Sequence, residues 1–178
     1  MAGDGPFTKK ALNLLSKLHE YKPVQFTISC IFDLEMCALL FNIGEGDEVI
    51  VPTFAFVSSA NAFVSQGVKI VFVDIDPTTW NLDVNEVGSA LGPKTKEIDA
   101  VNYAGSASVA SDLLQIAQDA GVPIVEDNAH GLFAQEDGHA LEACSGISAL
   151  SFHETKNATL EKVDDFNKIK NRVTRIYL

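Results

Sequence analysis

The sequence lacks several features that would each place a protein in a class. Cysteine is scarce: Cys30, Cys37 and Cys144 are odd in number and widely spaced. They form neither a disulfide framework nor a zinc-binding pattern, and free or buried thiols in a reducing cytosol are the expectation. Basic charge is also short, with 13 Lys and Arg against 24 Asp and Glu and a net charge of −11. Without a basic patch there is nothing to neutralise a row of phosphates, so neither a nucleic acid nor an anionic membrane is an expected partner. No apolar run approaches the roughly 20 residues that span a bilayer. The start, Met1-Ala2-Gly3-Asp4-Gly5-Pro6, has no charged-then-apolar secretory pattern. Asn157-Ala158-Thr159 matches a glycosylation sequon, which in a cytosolic chain is coincidence. Internal repeats and low-complexity tracts are missing too.

The remainder has an ordinary globular balance, 47% hydrophobic and 21% charged over 178 residues, enough for one domain with a core. Apolar spacing predicts helices over 8–19, 31–41, 53–66, 85–91 and 111–120. Short apolar runs predict strands at 24–28, 49–51, 69–74, 100–103, 122–126 and 147–152. The unbroken run Ile70-Val71-Phe72-Val73 reads as a buried parallel strand. Strands alternating with helices at this spacing predict an α/β fold with a mostly parallel sheet. Beyond Asn157, Leu160, Val163, Phe166, Ile169, Val173 and Ile176 recur every three or four residues between charges. That spacing predicts one long amphipathic helix over 160–177.

In a parallel sheet, sites form at the carboxyl ends of strands. Three such ends carry chemistry. Ser29-Cys30-Ile31 lies between a strand and a helix start, where unpaired N–H groups make an anion site. Asp127 ends the run Val122-Pro123-Ile124-Val125, and Lys156 follows Ala149-Leu150-Ser151-Phe152. A lysine, an acid and a helix start at one edge suit pyridoxal phosphate (PLP). The lysine bonds the cofactor, the acid pairs with its pyridinium nitrogen, and the helix holds its phosphate. Each signal alone has a plainer reading: a strand-end Asp as a loop or capping residue, a lone Lys as a solvated charge, His130 as a structural histidine. Asp74 and Asp76 end a strand as a ribose-binding acid would, but no G-x-G-x-x-G precedes them.

Together the motifs are more specific. Ser151-Phe152-His153-Glu154-Thr155-Lys156-Asn157 resembles the lysine motif of the DegT/DnrJ/EryC1/StrS family of sugar aminotransferases, and Val125-Glu126-Asp127-Asn128-Ala129-His130 resembles its acid motif. Gly46-Asp47-Glu48-Val49-Ile50-Val51-Pro52, Phe56-Val57-Ser58-Ser59-Ala60-Asn61-Ala62 and Val71-Phe72-Val73-Asp74-Ile75-Asp76-Pro77 match it in order. The resemblance implies a type I, aspartate aminotransferase-like large domain over 1–157, incomplete. It makes 158–178 the helix that joins this domain to a small one. It implies that Lys156 carries the cofactor and shuttles the proton, that Asp127 holds the pyridinium, and that His130 contacts the cofactor's 3-hydroxyl. Phe56 would stack on the ring, and Ser151 with the amides of Ile31 and Phe32 would hold the phosphate.

The activity implied is PLP-dependent transamination of a nucleotide-linked 4-keto-6-deoxy sugar, with glutamate as amino donor. The setting implied is a cytoplasmic homodimer that serves lipopolysaccharide or antigen sugar synthesis. The alternative is a catalytically silent piece of the same fold that binds PLP or a partner chain only. The chain departs from the family pattern at Ile31-Phe32, usually Thr-Ala, at Asn102, usually His, and at Asn128, usually Ala. It also lacks the family's Gly-Glu-Gly-Gly loop after Asn157, so the sheet is expected to lose the strands that follow and to leave an open edge.

Overall fold

The computed structural model describes residues 5–18, 24–109, 111–132, 134–136, 139–140, 145–153, 155–156 and 174–177. Among these residues, five α-helices flank one seven-stranded sheet. The helices are α1 (Pro6–Leu18), α2 (Cys30–Leu40), α3 (Val57–Val64), α4 (Val84–Ala90) and α5 (Ser111–Ala120). The strands of the main sheet are β1 (Val24–Thr27), β2 (Glu48–Pro52), β3 (Lys69–Val73), β4 (Thr95–Val101), β5 (Ile124–Asn128), β8 (Ser148–Ser151) and β9 (Thr174–Tyr177). A small antiparallel pair, β6 (Gln135–Glu136) and β7 (His139–Ala140), lies between β5 and β8 in sequence.

The spatial order is β1-β9-β8-β5-β4-β2-β3. The neighbours from β8 to β3 are parallel, and β9 is antiparallel to both β8 and β1. The mostly parallel α/β sheet is therefore as the alternating pattern predicts. Alternation along the strands divides the core in two. Val49, Val51, Val125 and Ala149 pack with Leu34, Cys37 and Ala38 of α2 and with Ala62 and Phe63 of α3. Ile50, Ile98, Ala100 and Ile124 face the other way and pack with Val87 of α4 and with Leu113 and Ala117 of α5. In α1, the apolar spacing resolves as Ala11 and Leu15 turned inward.

Three expectations are corrected. The run 69–73 is parallel, but it is the edge strand: Phe72 is 60% exposed, and among the described residues only one neighbour pairs with it. Helix α3 begins at Val57 rather than Thr53, because the Thr53 amide donates to the Val73 carbonyl and prolongs the strand pairing. The third concerns the tail. Thr174–Tyr177 is strand, not the end of a helix, and it occupies the slot between β1 and β8. That slot is the edge expected to stand open. The rest of the expected helix, 160–173, lies outside the described residues.

Strand β4 is longer than its apolar residues suggest, because Glu97 and Asp99 sit within it, wholly buried and with no hydrogen-bond partner for either carboxyl. Alternation turns both away from Ile98 and Ala100, towards α2, where their charge bears on Cys37. Burial pushes the Glu97 carboxyl well up, and burial, Asp127 and Glu97 push that of Asp99 well up. A carboxyl whose folded pKa is raised keeps its proton where the unfolded chain has released it. Stability therefore falls as pH rises above the ordinary carboxylate range of about 4. The double variant Glu97→Gln, Asp99→Asn is expected to exceed the parent in stability at pH 8, because neither amide has to take up a proton on folding. Most of that advantage should vanish at pH 4. Chemical denaturation at the two pH values checks this, and a pH-independent difference contradicts it.

Candidate active site

Because β1, β2, β3, β4, β5 and β8 all point the same way, their carboxyl ends share one edge of the sheet. A cavity of about 550 Å³ opens there. Lys156, Asp127, Phe56, Ser151 and Ile31 line it, with Ser29, Cys30, Ser59 and His153 among the others. The site residues named from the sequence thus meet in one place, with two exceptions. Phe32 does not line the cavity and is 45% exposed. His130 is not on the lining either, but its Nε2 lies 3.1 Å from Lys156 Nζ.

The acid is held firmly. Asp127 is the penultimate residue of β5 and 5% exposed. Ser59, in α3, donates its hydroxyl to Asp127 Oδ2 at 2.7 Å, and the Ala129 amide donates to Oδ1 at 3.1 Å. Cys30 Sγ stands 4.0 Å from Oδ1, and burial, with Asp127 next, raises its thiol pKa well above the ordinary range. The sequence motif contained Ser59 without revealing its role. Its signal is positional, two residues into a helix that starts at the cavity wall.

At the other end stands the start of α2. Ser29 is its N-cap: the side-chain oxygen accepts the Phe32 amide at 3.2 Å, and the Ser29 carbonyl accepts that of Asp33. This leaves the Cys30 and Ile31 amides, without acceptors inside the helix, to face an anion. The sequence reading paired Ile31 with Phe32 for this task, and the cap instead engages the Phe32 amide. On the lysine side, the Lys156 amide donates to the His153 carbonyl at 2.9 Å in a tight turn after β8. Ser151 Oγ, 6% exposed, accepts the His153 amide at 3.4 Å. Burial and then the Lys156 charge lower the pKa of His130, with Asp127 opposing, so its ring is neutral at pH 7.

Behind Asp127, on the opposite face of the sheet, lies a buried polar network. Glu126 Oε1 accepts the amide and hydroxyl of Ser145, both at 2.7 Å, and Oε2 accepts the side chains of Asn102 and Asn128. Asn102 also donates to Asn128 Oδ1, so two of the family departures touch each other. Gly131 leaves room for this network, because a Cβ on it would force that same Asn128 oxygen to shift. Among the described residues, no cluster of His, Cys, Asp or Glu could hold a metal ion, and no helix is long and apolar enough to cross a membrane.

A parallel sheet whose carboxyl edge joins a lysine, a buried acid and a helix start has the fold of the PLP-dependent aminotransferases. The sequence profile of the DegT/DnrJ/EryC1/StrS aminotransferase family matches residues 4–162, and the chain belongs to that family. The chain is 38% identical over 126 residues to 3-amino-5-hydroxybenzoate synthase of Amycolatopsis mediterranei, covering 71% of this chain and 32% of that one. It is 33% identical over 146 residues to UDP-2-acetamido-2-deoxy-3-oxo-D-glucuronate aminotransferase of Pseudomonas aeruginosa, covering 80% and 41%. The crystal structure of NtdA from Bacillus subtilis with bound cofactor PMP superposes with a TM-score of 0.85 at 27% identity, over 98% of this chain and 37% of that one. The chain thus spans well under half the length of these relatives.

Proposed function

We propose that this chain is the PLP-binding part of an aminotransferase acting on a nucleotide-linked sugar. The observation that carries this reading is one cavity lined by Lys156, Asp127 and the start of α2. The residues present fit the cofactor. One cavity offers an amine for the aldehyde, a carboxylate for the ring nitrogen and helix-start amides for the phosphate, within a volume suited to a small ligand. When bound, PLP supplies an aldehyde that bonds amines and a ring that accepts electrons.

The chain's own residues do the rest. Neutral His130, at 3.1 Å, accepts a hydrogen bond from the Lys156 ammonium and so orients Nζ towards the cavity. The Asp127 carboxylate, fixed by Ser59 and Ala129, holds a proton at the ring nitrogen. The Cys30 and Ile31 amides and the Ser151 hydroxyl take the phosphate. Phe56, 73% exposed at the rim, covers the ring. With the cofactor bound, Lys156 would be the group that holds and returns the proton at the reacting carbon.

The finer reading is a dTDP-linked 4-keto-6-deoxyglucose as acceptor, glutamate as donor and a cytoplasmic homodimer as the working form. The name of one relative, an aminotransferase of a UDP-linked 3-oxo sugar acid, supports a nucleotide-linked keto sugar as acceptor. Ile28, Ile31 and Phe56, which line the cavity and are exposed, suit a face that a second copy covers. The second reading, a silent fragment, draws on the Ile31 side chain lining the phosphate end. Absorbance after incubation with PLP decides between them. The reading expects the band of a protonated lysine–PLP Schiff base, lost in Lys156→Ala. A spectrum of free PLP with the parent chain refutes it.

A further inference from the structure

Beside the cavity lies a row of aromatic rings that the chemistry above does not use. Phe54 follows β2, Trp80 follows β3 and Tyr103 follows β4, all at the carboxyl edge that carries Lys156. The Trp80 and Tyr103 rings are stacked, with centroids 5.9 Å apart and planes 14° apart. Phe54 meets both edge-on, at 5.1 and 4.9 Å. Tyr103 in turn meets the His130 ring at 5.6 Å, and His130 touches Lys156 Nζ. The row therefore leads from the reacting amine outward.

Its outer end is not a satellite core. Trp80 is 48% exposed and Phe54 38% exposed. Yet the loop that presents Trp80 is rigidly tied. Asn81, 3% exposed, accepts the Tyr103 amide and donates to the carbonyls of Ser106 and Ala107. Asp76 accepts the Thr78 and Thr79 amides through its side chain and the Trp80 amide through its carbonyl. Trp80 itself has φ +65°, an outlier for a bulky residue. Strain of this kind, held by neighbours on either side, marks positions where a side chain is displayed for use.

We propose that Phe54, Trp80 and Tyr103 form a subsite for an uncharged flat ring of the substrate, of nucleobase class, at the end remote from the reacting carbon. This rests on the reading of the chain as a nucleotide-sugar aminotransferase. Chemistry favours a base over the phosphates here. Aromatic faces stack on any base, and two acids are tied to the row, Asp74 by the hydroxyl of Thr53 next to Phe54 and Asp76 by the Trp80 amide. The Thr78 and Thr79 amides hold the Asp76 carboxyl below its usual range, so it stays anionic and repels phosphate. The locked loop lowers the ordering cost of binding.

Trp80 is the chain's one tryptophan, so its emission reports on this subsite alone. Thymidine, and separately a methyl glucoside of equal concentration, are titrated into the protein with inner-filter correction. Saturable quenching by thymidine and none by the glucoside is expected. Phe54→Leu, which keeps the reporter, should weaken the thymidine response about tenfold, with an unchanged melting temperature as the control for folding. No saturable response to thymidine, a response to the glucoside alone, or full thymidine affinity in Phe54→Leu overturns the proposal. The two readings fail separately: a lysine–PLP band without thymidine quenching sinks the subsite only, and quenching without the band sinks the aminotransferase reading only.

Discussion

Asp127→Asn is expected to lower amino transfer by at least about a hundredfold while PLP still binds. The substitution is nearly isosteric and leaves the phosphate contacts of α2 and Ser151 alone. What it removes is a charge. In the parent, Ser59 Oγ and the Ala129 amide both donate to the carboxylate, which leaves its remaining lone pairs and full charge to the ring nitrogen. An amide in that place presents no charge to hold a proton on the ring. The ring then withdraws electrons weakly, and removal of the substrate proton slows. Single-turnover reaction with glutamate measures the rate, and the absorbance band measured across pH provides a second readout independent of turnover. In the variant the pH dependence of the band should change while the PLP dissociation constant moves little. Equal rates in parent and variant refute the role of Asp127.

Ile176→Pro is expected to unfold the sheet at its β1 end and with it the phosphate end of the cavity. Ile176 is paired with Gln25 of β1 on one side and Ala149 of β8 on the other, so β9 is an interior strand. Proline removes a ladder donor there and costs about 3 kcal/mol or more, a large share of the stability of a single domain. The effect reaches the site because β9 is the strand that ties β1 to the sheet, and β1 runs directly into Ser29 and α2. Loss of a cooperative melt, or a melting temperature lower by many degrees with loss of PLP binding, is the expected result. A parent-like melt with parent-like PLP affinity shows that β9 is dispensable.

Much of the fold was legible because it is written locally. The helix over 111–120 and the strand near 124 follow from apolar spacing and a Gly stop. Strand β4 was mostly hidden because its two buried acids, Glu97 and Asp99, break the apolar signal on which such readings depend. The run 69–73 has the composition of a buried strand, but position in the sheet depends on what pairs alongside, and among the described residues nothing pairs with its outer edge. In the site, Lys156 and Asp127 stood out because each stands at or just after the end of an apolar run, while Ser59 lay within a motif that says nothing of its partner.

By itself the sequence determined the order of elements, the α/β class and the two chemical groups at strand ends, because each depends on residues within one turn or one strand of each other. Tertiary structure alone decided the rest. It placed Thr174–Tyr177 between β1 and β8, where periodicity of three and four residues predicts a helix, because ladder hydrogen bonds from two neighbours outweigh a local preference. It joined Asn102 to Asn128 across two strands, and it set Trp80, Tyr103 and His130 in a row ending at Lys156. Those contacts link residues 23 to 27 positions apart, and no local pattern records a distance of that kind: only closing the parallel sheet brings the strand ends to one edge.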